Sequence, residues 1–139
     1  MIVRSFKLLW RLLLVLVVAA IAGPFAPPLA AGDFPFGMGL TLDAAPMRGS
    51  KRVASIEIGD NGEVQFDLWC KSATGQLSVA GDSVVFVPGQ VKDNGCPADR
   101  AAADDDLIAA LSEATGWKRQ GDWLTFTGPR PLRFQLLTN

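Results

Sequence analysis

Along most of this chain apolar residues fall at alternate positions, in short runs broken by glycine, asparagine, aspartate and proline. Alternation over four to eight residues marks a strand with one face buried. Glu63–Cys70, EVQFDLWC, is the clearest run: Val64, Phe66 and Leu68 face one way, Gln65 and Asp67 the other. Lys51–Ile58 precedes it and is rich in β-branched residues. Gly59-Asp60-Asn61-Gly62 joins the two. Asn-Gly between such runs predicts a β-hairpin. Gln76–Val79 and Ser83–Val87 flank a second tight turn at Ala80-Gly81-Asp82. Trp117–Gln120 and Trp123–Thr127 flank Gly121-Asp122, and Leu132–Leu137 is the last strand, with Leu132, Phe134 and Leu136 on one face. Leu40–Asp43 is a short first strand. The Gly32–Gly39 stretch before it, GDFPFGMG, is a lead-in segment: its glycines lack the preceding strand and following helix that a phosphate loop requires.

One segment has a different period. Pro97–Ala114 is alanine-rich and glycine-free, and Ala101, Ile108, Leu111 and Ala114 fall on one helical stripe. Pro97 suits the first helical position, Asp99 the first turn and Gly116 the residues just past the end. The pattern therefore predicts one helix of about four turns among roughly eight strands. Asp104-Asp105-Asp106 lies inside it. Successive helical residues point about 100° apart and cannot converge on one ion. The expectation is a solvated helix face.

The first thirty residues belong to another kind of segment. Arg4, Lys7 and Arg11 are followed by an unbroken apolar run, Leu12–Ala22, then Pro24, Pro27 and Pro28 and the small-residue site Leu29-Ala30-Ala31. That order predicts a secretory signal peptide over 1–31. The run is shorter than the roughly 20 residues of a spanning helix; an uncleaved inner-membrane anchor is the alternative. The mature domain would be 32–139, with ten basic and fourteen acidic residues. An acidic surface argues against nucleic acid. The chain has no histidine and no tyrosine, so Ser-His and Cys-His nucleophile pairs and imidazole metal ligands are excluded.

Several motifs together resemble the META-domain family, which includes the HslJ-like heat-shock proteins. Trp69-Cys70-Lys71-Ser72-Ala73-Thr74-Gly75 stands where that family ends a strand in Gly-Cys-Asn followed by Ser/Thr and Gly. Asp93-Asn94-Gly95-Cys96-Pro97 opens the helix where the family has Thr-x-x-Ala-Cys-Pro. Trp117-Lys118-Arg119-Gln120, Gly121-Asp122 and Trp123-Leu124-Thr125-Phe126 match its closing hairpin. The glycine and asparagine around the first cysteine are Trp69 and Lys71 here, and the threonine and alanine before the second are absent. The resemblance implies an α+β fold: a small barrel-like, mainly antiparallel sheet with one helix, about 97–115, packed on it. It also implies an exported, stress-associated protein without established enzymatic chemistry.

Cys70 and Cys96 are the only cysteines, and three readings compete. A zinc site lacks ligands. A redox pair gains from Lys71 beside Cys70 and from the helix start at Cys96, but lacks Cys-x-x-Cys spacing. A disulfide fits export and an even count. It would close a 27-residue loop, worth roughly 3–3.5 kcal/mol. Trp117 is expected in the core. Trp69 and Trp123 oppose the apolar faces of their strands, so with Lys71 they are the candidate exposed patch. Lys71-Ser72 is not the spaced Ser-x-x-Lys element, and no catalytic constellation forms around Ser72 or Asp67. The expected object is a non-enzymatic envelope domain without metal or cofactor. Its partner would be an envelope protein or a small ligand; the alternatives are a ligand-carrying barrel or an inhibitor of a cell-wall enzyme.

Overall fold

A computed structural model describes residues 33–138. The signal-peptide expectation for 1–31 lies outside the described residues. Eight strands run in chain order around a closed antiparallel barrel: β1 Met38–Leu42, β2 Ser55–Ile58, β3 Glu63–Asp67, β4 Ser72–Ala80, β5 Ser83–Lys92, β6 Gly116–Gln120, β7 Trp123–Thr127 and β8 Leu132–Leu136. β8 pairs back onto β1, with Leu40 opposite Leu136. The helix α1, Ala98–Ser112, connects β5 to β6. The expected α+β barrel with one helix is therefore present.

Closure is uneven around the ring. β5 and β6 share a single paired position, Ser83 opposite Gly116, and α1 lies against β5 beside that seam. A helix over a poorly paired edge keeps its polar groups from recruiting another strand. The helix buries Leu107, Ile108, Ala110 and Leu111, and Arg130, beyond β7, bonds Asp106 on it and Glu113 at its C-terminal cap. It starts one residue later than expected, with Pro97 at the cap. Gly116 does not end the helix but opens β6, where Thr127 Oγ1 and the Asp82 carbonyl leave no space for a Cβ.

Two strands are longer than the alternation predicts. β4 begins at Ser72 and β5 continues to Lys92, although Gly75, Pro88 and Gly89 read as breakers. A bulge between Ala73 and Gly75 absorbs the irregularity. A Cβ on Gly75 would stand 2.4 Å from the Phe86 ring, so the glycine makes room for that ring in the core. Conversely, β2 starts only at Ser55. The turn at Gly59–Gly62 is a hairpin as expected, closed by the Gly62 amide donating to the Gly59 carbonyl.

The barrel interior is filled. Leu40, Ile56, Val64, Leu68, Leu124, Phe126 and Phe134 are almost wholly buried, and Phe66 meets Phe86 edge-on at 5.5 Å. Trp117 is buried as expected, with its indole N–H donating to the Gly81 carbonyl at 2.8 Å. The lead-in contributes more than a connection: Phe34 inserts edge-on against Trp117 at 5.0 Å and joins the core.

Gly62 and Gly121 both have positive φ, 80° and 60°, but their surroundings differ. A Cβ at Gly62 would lie 2.1 Å from the Leu77 carbonyl oxygen, whereas Gly121 has open space. Gly121→Ala should cost about 1 kcal/mol from backbone strain alone, and Gly62→Ala about 2–3 kcal/mol. Urea midpoints of the two variants check the difference; equal midpoints would contradict it.

Candidate functional site

The chain leaves β3 at Asp67, and Leu68 closes a turn by donating its amide to the Lys71 carbonyl. This turn aims three successive backbone N–H groups at α1. Asp104 receives all three. Its Oδ1 accepts from Trp69 at 2.9 Å, and its Oδ2 accepts from Cys70 at 3.0 Å and Lys71 at 2.7 Å. The carboxylate is fully buried. Successive amides converging on one anion form a nest, which replaces the water the carboxylate loses on burial.

The nest places Cys70 opposite Cys96, and the two are disulfide-bonded with Cα atoms 5.7 Å apart. The Cys96 side is held separately. Asp93 Oδ1 accepts from the Gly95 and Cys96 amides at 2.9 and 3.0 Å, and the Asn94 amide donates to the Cys70 carbonyl at 3.0 Å. The Cys96 amide, followed by that of Gly95 and by the nearby Lys71 charge, holds the Asp93 carboxyl below its ordinary pKa. Lys71 folds over the helix onto Asp105, with Nζ at 2.7 and 2.9 Å from the two carboxylate oxygens. That hydrogen bond pushes its pKa up, with help from the Asp105, Asp93 and Asp104 charges and against its partial burial.

The three aspartates therefore have three destinations: Asp104 the nest, Asp105 the Lys71 ammonium and Asp106 the Arg130 guanidinium. The solvated face expected for this triplet is corrected at Asp104. Position 104 lies three residues after Ala101 and four before Ile108, on the apolar stripe itself, and that placement was the signal in the sequence.

The expected exposed patch of Trp69, Lys71 and Trp123 also needs correction. Lys71 is buried. Trp69 is half-buried against the core, because the nest bends the backbone and ends the alternation of β3. Its indole Nε1 is shielded without a hydrogen-bond partner. Trp123 does face outward, but the Arg133 guanidinium covers its ring at 3.9 Å. Trp69 follows β3 and Trp123 opens β7, four strands apart in a ring of eight, so they do not share a surface.

Lys71 points to the helix while Ser72 lines a cleft on the other side. Asp67 is bound by Arg52 through both carboxylate oxygens, at 2.8 and 3.0 Å. Asp67 and Lys92 are the cross-strand neighbours of Ser72, but among the described residues no side-chain hydrogen bond joins Ser72 to either. A cleft of about 650 Å³ runs over β3, β4 and β5, lined by Gln65, Ser72, Thr74, Gln90, Val91 and Lys92 among others.

Comparison with known proteins places these features in a family. The META domain matches residues 39–138, a span that includes both cysteines, the nest and α1. No curated protein matches the chain. Among solved structures, one described as "NMR structure of the protein" is similar with a TM-score of 0.54 at 11% identity, over 71% of this chain and 88% of that one. At that identity the likeness concerns the fold.

Asp104→Asn replaces one acceptor oxygen with an NH₂ group facing backbone donors. It should destabilise the domain by about 2–4 kcal/mol, read as a lowered denaturation midpoint; an unchanged midpoint would contradict the role of the nest. Asp93 gives a pH signature. Its folded pKa is depressed, so its contribution is complete above about pH 4 and is lost as pH falls through the folded value. Asp93→Ala should flatten the acid limb of a stability–pH profile and, because the Asp93 charge also helps hold the Lys71 ammonium, move the alkaline limb slightly to lower pH; an acid limb identical to the parent's would contradict it.

Proposed function

The chain belongs to the META-domain family, and we propose that it is an exported, non-enzymatic domain that binds a partner in the cell envelope and contributes to stress tolerance. The observation that carries this reading is the Cys70–Cys96 bond, held from both sides by Asp104, Asp93 and Asn94. A disulfide persists in an oxidising compartment, and the basic, apolar and small-residue order of the N-terminus agrees with delivery there. The non-enzymatic part rests on the absence of histidine and on the engagement of Lys71 and Asp67 in ion pairs. The stress role rests on the resemblance to HslJ-like heat-shock proteins. A small-ligand role is the second reading, favoured by the outer cleft; a carrier with its ligand inside the barrel is disfavoured by the filled interior.

The test is the intact mass of the protein recovered from the envelope fraction, with thiols alkylated before lysis. The expected mass is that of residues 32–139 less two hydrogens, without alkyl adducts. A full-length mass, or two adducts, would overturn export with a stable disulfide. A deletion strain should lose tolerance to heat, osmotic stress or envelope-active drugs, and unchanged tolerance to all of them would remove the stress role.

A further inference from the structure

On the outside of the barrel, Glu57, Gln65 and Thr74 stand in one row across β2, β3 and β4, each directly opposite the next. All three are exposed. The row continues to β5, where the bulge at Ala73/Gly75 shifts the register and Lys92 faces Ser72. Two hollows flank this row and share the walls of Gln65 and Phe66. The larger is the 650 Å³ cleft, which ends at Lys92 and has no carboxylate in its lining. The smaller, about 160 Å³, lies over β1–β3 and contains Glu57, Asp67 and Leu137.

Charge divides this groove. Asp67 is neutralised by Arg52, but Glu57 and Lys92 have no ion-pair partner among the described residues. One unpaired anion and one unpaired cation therefore stand on either side of the shared wall of Gln65 and Phe66, one in each hollow, with the amides of Gln65 and Gln90 and the hydroxyls of Ser72 and Thr74 between them. Those side chains can each donate and accept, which suits a backbone carrying both N–H and C=O groups. Val91 and Leu137 are exposed apolar contacts, one in each hollow.

The spacing sets a length. Three strand steps of about 4.8 Å and an offset of two residues of about 3.3 Å separate Glu57 from Lys92 by about 16 Å. An extended chain covers about 3.3–3.6 Å per residue, so about five residues fit between the two charges. The geometry points to a docking groove for a short, extended peptide with free termini, its amine toward Glu57 and its carboxylate toward Lys92. This names the partner chemistry for the binding role proposed above and rests on that reading. It is tested separately, because the mass measurement reads export and the following one reads binding.

The isotopically labelled, disulfide-bonded protein is titrated with two pools of random pentapeptides, one with free termini and one acetylated and amidated. Amide resonances of Glu57, Gln65, Thr74 and Lys92 should shift with the free pool, and the apparent affinity for the capped pool should be at least five-fold weaker. Glu57→Gln and Lys92→Gln, both at exposed positions, should each weaken the free pool by a similar factor. Absence of shifts, equal shifts from both pools, or variants that bind as well as the parent would overturn the proposal. So would stronger shifts from a uronic-acid oligosaccharide, which would keep the Lys92 end and remove the peptide.

Discussion

A buried carboxylate is expensive unless its hydrogen bonds are restored, and Asp104 is the point where this chain meets that constraint. It sits at full burial on the face of α1 that packs onto the barrel. Among the described residues, the three amides of Trp69, Cys70 and Lys71 replace its lost water. Satisfying the carboxylate therefore fixes the turn after β3 against the helix, and much else follows. The turn ends the alternation of β3, tips Trp69 against the core and lays Lys71 over Asp105. It also brings Cys70 to Cys96. A helix docked by apolar contacts alone could slide along its groove; one docked on three directed hydrogen bonds has a single register.

That constraint also explains which parts of the structure were legible in the sequence. The strands β3, β7 and β8 and the helix follow from period, because each buries one face and leaves the other wet, whereas β6 buries only Trp117 and was legible from the Gly121-Asp122 turn beside it. β4 and β5 extended past the apparent breakers because a glycine can serve a neighbour: Gly75 is small so that the Phe86 ring can occupy its space. No local rule contains that ring. Phe34 is similar, since its partner Trp117 lies far along the chain. Asp104 could be placed on the apolar stripe by counting, but its type argued for solvent. The backbone donors that reverse that preference come from a turn more than thirty residues earlier. Trp69 and Lys71 depart from the expected exposed patch for the same reason, since a strand's alternation stops applying where the nest bends the chain.

The distribution of charge separates holding from offering. Lys71, Arg52 and Arg130 each close an ion pair that ties one element to another, and Arg133 is spread over Trp123. Glu57 and Lys92 have no such task among the described residues.

The disulfide and the nest act on different states of the chain. The Cys70–Cys96 bond shortens a 27-residue loop in the unfolded ensemble and stabilises chiefly by that route. Asp104 acts on the folded state, where its partners exist. Yet both converge on Cys70, so their effects are not independent. With Asp104 holding the Cys70 amide, Asp93 holding the Cys96 amide and Asn94 bridging to the Cys70 carbonyl, the two sulfurs are brought together by contacts that do not require the bond. The covalent link then adds stability to a site whose shape is already set by one buried carboxylate.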